Sequence, residues 1–389
     1  MACCPVTSRR VKPEGHNDDG NVSIQINRAL EHDRERAACA PVALFLGIGD
    51  SGKTTFCKQL RILHGVPYPR EELVLIKQSI HNLIVHDVGK LVSASSNADV
   101  MEKILKKFAT DISVEFPAHV NDARAKVRKW ASSGTLPPVV DEGIADIVMT
   151  LWSDPTMRMV YAECTHGEEL QLGPQAEYFF DKIGSICSAS WLPNEDDIVR
   201  WRVKTIGVWD QKIACVIDGV ASEIRIVDVG GQRSERRKWM HQFSAASIIM
   251  YVASLSDYNQ LCPEDGKTTR LLEALRVFQE VCSSPALSNV GIVVFFNKCD
   301  LFKDKLRIAP FKDHVAGYEG DGSYDSACGY MEALYRQTAM RAFHTSRSPS
   351  SRVVNFFFTT AVDKKNVQHV FYSVRDIIVR SQLNSDGLI

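Results

Sequence analysis

The chain has 389 residues, of which 45% are apolar and 24% charged, with a formal net charge of −1. This length allows two or three domains, and the balanced charge argues against a surface built mainly to bind nucleic acid. No apolar run approaches the roughly 20 residues of a membrane span, and no secretory segment is expected at the start. The eleven cysteines form no C-x-x-C pair, which predicts a reducing compartment without a disulfide framework or zinc site.

The first predicted elements are a polar N-terminal segment and a β–α unit. Residues 1–40 are largely polar, and their second half allows a helix that Asn21 would cap. The apolar run "PVALFL" at 41–46 predicts a strand, and "TFCKQLRILHG" at 55–65 predicts the helix after it.

The next part of the chain, from about 68 to 195, has the spacing of helices. Apolar residues recur three to four positions apart through "EELVLIKQSIHNLIVHDVGKL", namely Leu73, Ile76, Ile80, Leu83 and, further on, Leu91. The stretches "ADVMEKILKKFA", "ADIVMTLW" and "AEYFFDKIGSI" continue this pattern. We therefore expect an all-helical segment here.

The period then changes to that of strands. "VWDQKIACVI" and "ASEIRIVDV" flank Asp218-Gly219, which predicts a hairpin. Short β-rich runs at 246–254, 289–297 and 352–360 predict buried parallel strands with helices between them. A final helix presents one apolar face, formed by Val367, Val370, Phe371, Val374 and Ile378. The order predicts an α/β domain that a helical insertion interrupts after its first helix.

The motif "GIGDSGKTT" at 47–55 lies between the first strand and its helix and fits G-x-x-x-x-G-K-[ST]. Glycines let backbone N–H groups converge on phosphate oxygens at a helix N-terminus. Lys53 would add a positive charge and Thr54 a hydroxyl for Mg²⁺. The alternative is a glycine-rich structural turn without a ligand.

Two later motifs connect this loop to a guanine nucleotide. "IVDVGGQ" places Asp228 at a strand end, where a carboxylate can hold a metal through water, and Gly230-Gly231 can approach a terminal phosphate. "VVFFNKCD" places Asn297, Lys298 and Asp300 after another strand. A carboxylate such as Asp300 can accept two hydrogen bonds from guanine that adenine cannot offer. Alternatively, Asp300 caps the next helix.

The segments "LGIGDSGKTT", "RWRVKTIG", "DVGGQRSERRKWMHQF", "SLSDY", "FFNKCDLF" and "TTAVDKKNV" together resemble the α subunit of heterotrimeric G proteins across nearly the whole chain. The resemblance implies a Ras-like P-loop GTPase domain of the α/β class, with a mostly parallel sheet, one antiparallel hairpin, helices on both faces and an inserted all-α domain. The implied boundaries are an N-terminal membrane and βγ segment at 1–40, the GTPase domain at 41–67 and 196–389, and the helical domain at 68–195.

The resemblance also implies roles for individual residues. Arg202 would stabilise charge on the γ-phosphate, and Gln232 would orient the attacking water. Thr54 and Thr205 would bind Mg²⁺ directly and Asp228 through water, while the Ala361 N–H would meet the guanine. The nucleotide-binding residues it implies are Gly49, Asp50, Ser51, Gly52, Lys53, Thr54, Thr55, Val199, Arg200, Thr205, Asp228, Gly231, Asn297, Lys298, Asp300 and Ala361.

Plainer interpretations remain open for three of these side chains. Arg202 could be a surface ion pair, Gln232 a solvated turn residue, and Trp239 a core residue rather than part of a βγ-binding segment.

The function implied is a GTP-hydrolysing switch whose GTP and GDP forms differ in the loops around Thr205 and Gly231. The implied partners are a βγ dimer, a G protein-coupled receptor through the C-terminal helix, an effector, a regulator of G-protein signalling and the cytoplasmic face of the plasma membrane, with no nucleic acid. The alternatives are a binding module that holds GTP without turnover, and a P-loop ATPase or kinase, which Asp300 disfavours.

The chain departs from the family pattern at four places. Asp50 stands where Glu is usual, and its shorter arm is expected to weaken a pair with Arg202. Gly173-Pro174-Gln175 replaces Asn-Asp-Ser, which removes a carboxylate that would latch the helical domain to Lys298 and predicts faster GDP release. "TTAV" replaces Thr-Cys-Ala-Thr around Ala361.

The fourth departure is Ala2, which removes the start required for N-myristoylation. Cys3 and Cys4 remain as predicted palmitoylation sites, and two acyl chains suffice for stable anchoring. The alternative is that both cysteines are simply buried.

Overall fold

The computed structural model describes residues 40–108, 115–133, 137–166, 172–173, 175–217, 220–346 and 352–385. Except for Ala40, these residues belong to the compact unit that begins at Pro41. The predicted N-terminal helix, Cys3, Cys4 and Pro174 lie outside the described residues.

A six-stranded sheet forms the centre of this unit, in the order β2-β3-β1-β4-β5-β6. All neighbouring strands are parallel except β2 and β3, which form the predicted antiparallel hairpin. The strands are β1 Val42–Leu46, β2 Val208–Ile217, β3 Val220–Val229, β4 Ile248–Ser254, β5 Gly291–Asn297 and β6 Val354–Phe358. The predicted mostly parallel α/β sheet is confirmed, although several strands are one to four residues shorter than the apolar runs.

Helices cover both faces of the sheet because its strands are apolar on both sides. The sheet region consists of β1, α1 and the chain from β2 onward. Its helices are α1 Lys53–Leu63, α10 Met240–Phe243, α11 Arg270–Ser283, α12 Cys299–Lys305, α13 Phe311–His314, α14 Tyr324–Ser346 and α15 Lys364–Ser385. Leu44 and Tyr251 face a core shared with α11 and α14, whereas Phe45 and Met250 face a core shared with α1 and α15. The predicted apolar face of α15 is buried in the second core.

A second set of helices, the helical region, has a hydrophobic core of its own. It consists of α2 Arg70–Ala94, α3 Ala98–Phe108, α4 Ala118–Ser133, α5 Glu142–Ser153, α6 Pro155–His166, α7 Gln175–Asp181 and α8 Ile183–Ile186. The core includes Ile76, Ile80, Leu151, Phe179 and Phe180. The helix α9, Glu195–Arg200, then leads back to the sheet.

The first helix begins earlier than the sequence pattern predicts. Gly52 adopts a left-handed conformation (φ 104°) just before α1, and its carbonyl accepts the bond from the Phe56 N–H. Lys53 and Thr54 therefore lie in the first helical turn, with their side chains at the end of β1. Among the described residues, no helix is long and apolar enough to cross a membrane.

Candidate functional site

A cavity of about 360 Å³ opens at the carboxyl ends of the parallel strands. This edge is where ligands bind in open α/β sheets, because loops from several strands converge there. The predicted residues that line it are Gly49, Asp50, Gly52, Lys53, Thr54, Thr55, Val199, Arg200, Arg202, Thr205, Gly231, Gln232, Asn297, Lys298, Asp300 and Ala361. The two remaining ones, Ser51 and Asp228, are buried directly behind this lining and bonded to it.

The phosphate loop is folded tightly around the ammonium group of Lys53. Lys53 Nζ donates hydrogen bonds to the carbonyls of Gly47 (2.9 Å) and Ile48 (2.8 Å). Burial lowers the pKa of Lys53, and the Asp228 and Asp50 carboxylates oppose that shift. The segment after β3 requires glycine where it approaches this loop, since a Cβ on Gly231 would lie 2.4 Å from Lys53 Nζ. This geometry holds a cation beside backbone N–H groups at a helix start, which suits a phosphate.

Two hydroxyls and one carboxylate meet beside this loop. Thr54 Oγ1 lies 2.6 Å from Thr205 Oγ1 and donates to Asp228 Oδ2 at 2.5 Å. Asp228 is fully buried, and burial raises its pKa although Lys53 and Thr54 oppose this. Within the described part of the chain, its Oδ1 has no hydrogen-bond partner, nor has the buried Oγ of Ser51. Oxygen donors of this kind suit a hard cation such as Mg²⁺, so the predicted metal residues fit the group.

The motif with Asn297, Lys298 and Asp300, called the guanine motif below, connects three loops through the Asn297 side chain. Asn297 Nδ2 donates to the Ser51 carbonyl (2.9 Å), and its Oδ1 accepts from the Ala361 N–H (3.0 Å). Lys298 caps α12 in a left-handed conformation (φ 65°), so Asp300 is the second residue of that helix and not its cap. Asp300 is exposed and lines the cavity. The arrangement leaves its carboxylate accessible to a base.

Arg202 is placed at the cavity by a two-point ion pair with Asp50. Its Nε lies 3.0 Å from Oδ1 and its Nη2 2.5 Å from Oδ2. Burial alone would raise the pKa of Asp50, but Arg202 and Arg270 lower it below its usual value. The shorter arm of Asp50 therefore still reaches Arg202. Arg202 can pair with Asp50 and still line the cavity, because 41% of its side chain remains exposed.

The segment after β3 lies against the opposite wall. Gln232 is partly buried, and its Cγ is 3.2 Å from where a Cβ on Gly49 would be. Trp239 is buried in the sheet core and donates from Nε1 to the Gly230 carbonyl at 2.8 Å. Trp239 thus packs as the plainer interpretation expected, and the bond fixes the chain just before Gly231.

Sequence reasoning missed a buried charge cluster behind the guanine motif. Asp257 Oδ2 accepts from Arg270 Nε at 2.9 Å, and its Oδ1 lies 3.2 Å from Lys298 Nζ. Although burial alone would raise it, Lys298 and Arg270 hold the pKa of Asp257 well below its usual range. Arg270 also donates to the Gly49 carbonyl at 2.5 Å. The motif "SLSDY" contains Asp257, but no spacing rule links it to Arg270, which starts a helix elsewhere.

The helical region contributes a smaller part of the lining. Thr165, Leu172, Gly173, Gln175 and Tyr178 face the cavity from its far side. Among the described residues, the ion-pair partner of Lys298 is Asp257, a residue of the sheet region.

The fold and the cavity define a P-loop nucleotide-binding protein with a guanine motif at its strand ends. The family model of the G-protein alpha subunit matches residues 20–378 of the chain. The guanine nucleotide-binding protein alpha-16 subunit of Caenorhabditis briggsae is 31% identical over 96% of this chain and 98% of its own length. The alpha-1 subunit of Neurospora crassa is 32% identical over 94% of this chain and 95% of its own, and the subunit alpha of Pyricularia oryzae is 31% identical over 94% and 95%.

The chain therefore belongs to the family of heterotrimeric G-protein α subunits. It is a guanine nucleotide-binding switch of G-protein signal transduction, and its family consists of GTPases that associate peripherally with membranes.

Proposed function

We propose that this chain itself hydrolyses GTP, with Arg202 and Gln232 as the catalytic residues. The observation that carries the proposal is the position of both side chains at one cavity, Arg202 held by Asp50 and Gln232 packed beside Gly49. Hydrolysis of GTP needs positive charge at the γ-phosphate oxygens and a water molecule placed in line with the bond that breaks. Arg202 supplies the first, and the Gln232 amide orients the second.

The remaining predicted residues are proposed to bind and orient the nucleotide. Lys53 and the N–H groups of the phosphate loop hold the phosphates, and the small Gly231 lets the backbone approach them closely. Asp300 accepts hydrogen bonds from guanine, while Asn297 holds the loops around the base in place. Thr54 and Thr205 would hold Mg²⁺ directly and Asp228 would hold it through water, and the ion would neutralise charge on the phosphate oxygens.

The two regions are proposed to be separate domains, with the GTPase domain at 41–67 and 196–389 and the helical domain at 68–195. Their separate hydrophobic cores support this division. Release of the γ-phosphate would free the segments around Thr205 and Gly231 and change the surface that partners meet.

Single-turnover hydrolysis of bound GTP tests the catalytic proposal. We expect Arg202→Ala to be slower than wild type by about 10³-fold or more, since an arginine in this role contributes that much. Gln232→Leu should also be slow, because leucine cannot orient water. The matched controls are Arg307→Ala and Gln211→Leu, which lie outside the cavity lining. Equal rates of hydrolysis for wild type and Gln232→Leu would instead indicate a binding module that holds GTP without turnover. Effective competition of ATP with GTP for binding would indicate an ATPase or kinase.

The proposed partners are those of the family: a βγ dimer, a receptor that contacts the C-terminal helix, an effector and a regulator of G-protein signalling.

Membrane attachment is proposed to come from palmitoylation of Cys3 and Cys4. Replacing both with serine should shift the protein from the membrane to the soluble fraction, and unchanged fractionation would refute this attachment.

A further inference from the structure

Trp201 lies between Arg200 and Arg202 and contacts two helices of different regions. Its backbone carbonyl accepts a hydrogen bond from Lys58 Nζ on α1. Its ring covers the same ammonium group, with Nζ 4.1 Å from the ring centroid. Its indole Nε1 donates to Ser79 Oγ on α2 at 2.8 Å. One residue therefore joins the phosphate-loop helix, the helical region and the segment that carries Arg202.

Lys58 is buried, with 7% of its surface exposed, and its amine contacts both the ring and the carbonyl of Trp201. A buried ammonium group requires partners, and an aromatic face together with a carbonyl provides two of them at once. Trp201 is thereby fixed against α1. Its point of contact on that helix, Lys58, lies four residues beyond Thr54.

The two neighbouring arginines make side-chain contacts of their own. The pair between Arg202 and Asp50 orients the Arg202 side chain, but its members are 41% and 33% exposed, so the pair adds little to the stability of the segment. Arg200 lies over the Tyr178 ring at 4.5 Å and binds Asp196 at 3.2 Å, which are contacts with α7 and with its own helix. The backbone between the two arginines is held by Trp201.

We propose that Trp201 is a positioning residue with two separable effects, a proposal that rests on hydrolysis by Arg202. Through Lys58 it fixes the segment that presents Arg202 and Thr205 to the phosphates. Through Ser79 it fastens the helical region to the sheet region, beside the two-point pair between Arg61 on α1 and Glu72 on α2.

Two rates measured on the full chain separate these effects: release of a fluorescent GDP analogue and single-turnover hydrolysis of GTP. Ser79→Ala removes the hydrogen bond between the helical region and Trp201, so release should be about three- to tenfold faster with hydrolysis unchanged. Trp201→Phe should match it, because the ring still covers Lys58. The double variant should be no faster than either single one, since both remove the same bond. Trp201→Ala should release GDP faster and also hydrolyse GTP more slowly.

The matched control is Trp130→Phe, a tryptophan packed against the core of the helical region. The fastening role would be overturned if both Ser79→Ala and Trp201→Phe released GDP at the wild-type rate. It would also be overturned if Trp130→Phe accelerated GDP release as much as they do. Wild-type hydrolysis by Trp201→Ala would overturn the positioning role. Ser79→Ala changes a hydroxyl only, so its release rate decides the first question even if Trp201→Ala does not fold. Failure of the proposed function would show as wild-type hydrolysis by Gln232→Leu, which leaves the release comparison intact.

Discussion

The sheet region and the helical region both have apolar cores but differ in where they bury charged groups. The sheet region buries charged groups around the cavity, and each has a polar partner: Lys53 donates to backbone carbonyls, Asp228 accepts from Thr54, and Asp257 pairs with Arg270. The core of the helical region is a continuous apolar cluster that includes Leu151, Phe179 and Phe180, and the charged groups buried in this region, such as Asp87 and Arg124, lie outside the cavity lining. Because buried charges are costly unless paired, the first arrangement serves the site, and the second serves packing. Substitutions in the two regions should therefore separate stability from nucleotide chemistry.

The largest expected effect is that of Asp257→Asn in the sheet region. The variant leaves Arg270 and Lys298 without their buried counter-charge, so the free energy of unfolding should fall by about 3–5 kcal/mol. Urea unfolding at a fixed GDP concentration measures this, because bound nucleotide itself adds stability. Asp304→Asn on the exposed face of α12 is the matched control. A loss as small as that of the control would mean that this cluster does not stabilise the fold.

The same carboxylate predicts a pH dependence. Lys298 and Arg270 hold the pKa of Asp257 below its usual value of 3.8, so the folded state binds fewer protons there than the unfolded state. Its stabilising contribution is present above about pH 4 and is lost as the pH falls further. Between pH 5 and pH 3, the free energy of unfolding should fall more steeply with decreasing pH for wild type than for Asp257→Asn. Parallel curves would contradict the assignment.

A cavity in the helical region should lower stability without changing the chemistry. Leu151 is fully buried, so Leu151→Ala should lower the free energy of unfolding by about 2–5 kcal/mol. The single-turnover rate of GTP hydrolysis should stay at the wild-type value below the unfolding temperature, because Leu151 does not line the cavity. Leu75→Ala, at a position that is 71% exposed, is the control. Slower hydrolysis by Leu151→Ala would break the separation between the regions.

A smaller effect is expected at the start of α5. The Asp141 side chain accepts a hydrogen bond from the Ile144 N–H and caps the helix. Asp141→Ala should cost about 1 kcal/mol of unfolding free energy, the usual cost of losing a cap. Asp146→Ala removes an exposed carboxylate within the same helix and should cost less. The two variants should be compared by urea unfolding, and equal losses would show that capping is unimportant here.

The smallest effect on stability is expected for Asp50→Asn at the cavity. The ion pair with Arg202 is open to solvent, so the free energy of unfolding should change by less than about 1 kcal/mol. Hydrolysis of GTP should nevertheless slow down, because Arg202 loses one of the contacts that hold it. Single-turnover kinetics beside urea unfolding tests both statements. A large loss of stability with unchanged hydrolysis would reverse the comparison drawn above.

Much of the site could be predicted because its motifs are local. Asn297 ends β5 and Asp300 lies just beyond it, Lys53 and Thr54 begin the helix that follows β1, and parallel strands bring their carboxyl ends to one edge. Asp257, Arg270 and Trp201 were not predicted as site residues. Their contacts join positions 13 to 221 residues apart, which no spacing in the sequence indicates.

The sequence by itself determined the α/β class, the helical insertion and the guanine-nucleotide motifs, because periodicity and strand-end residues act over short stretches. Only the tertiary structure decided which charges are buried together and that Trp201 joins α1 to α2. These contacts depend on which distant side chains are buried next to one another. A buried polar group needs a partner because water cannot reach it.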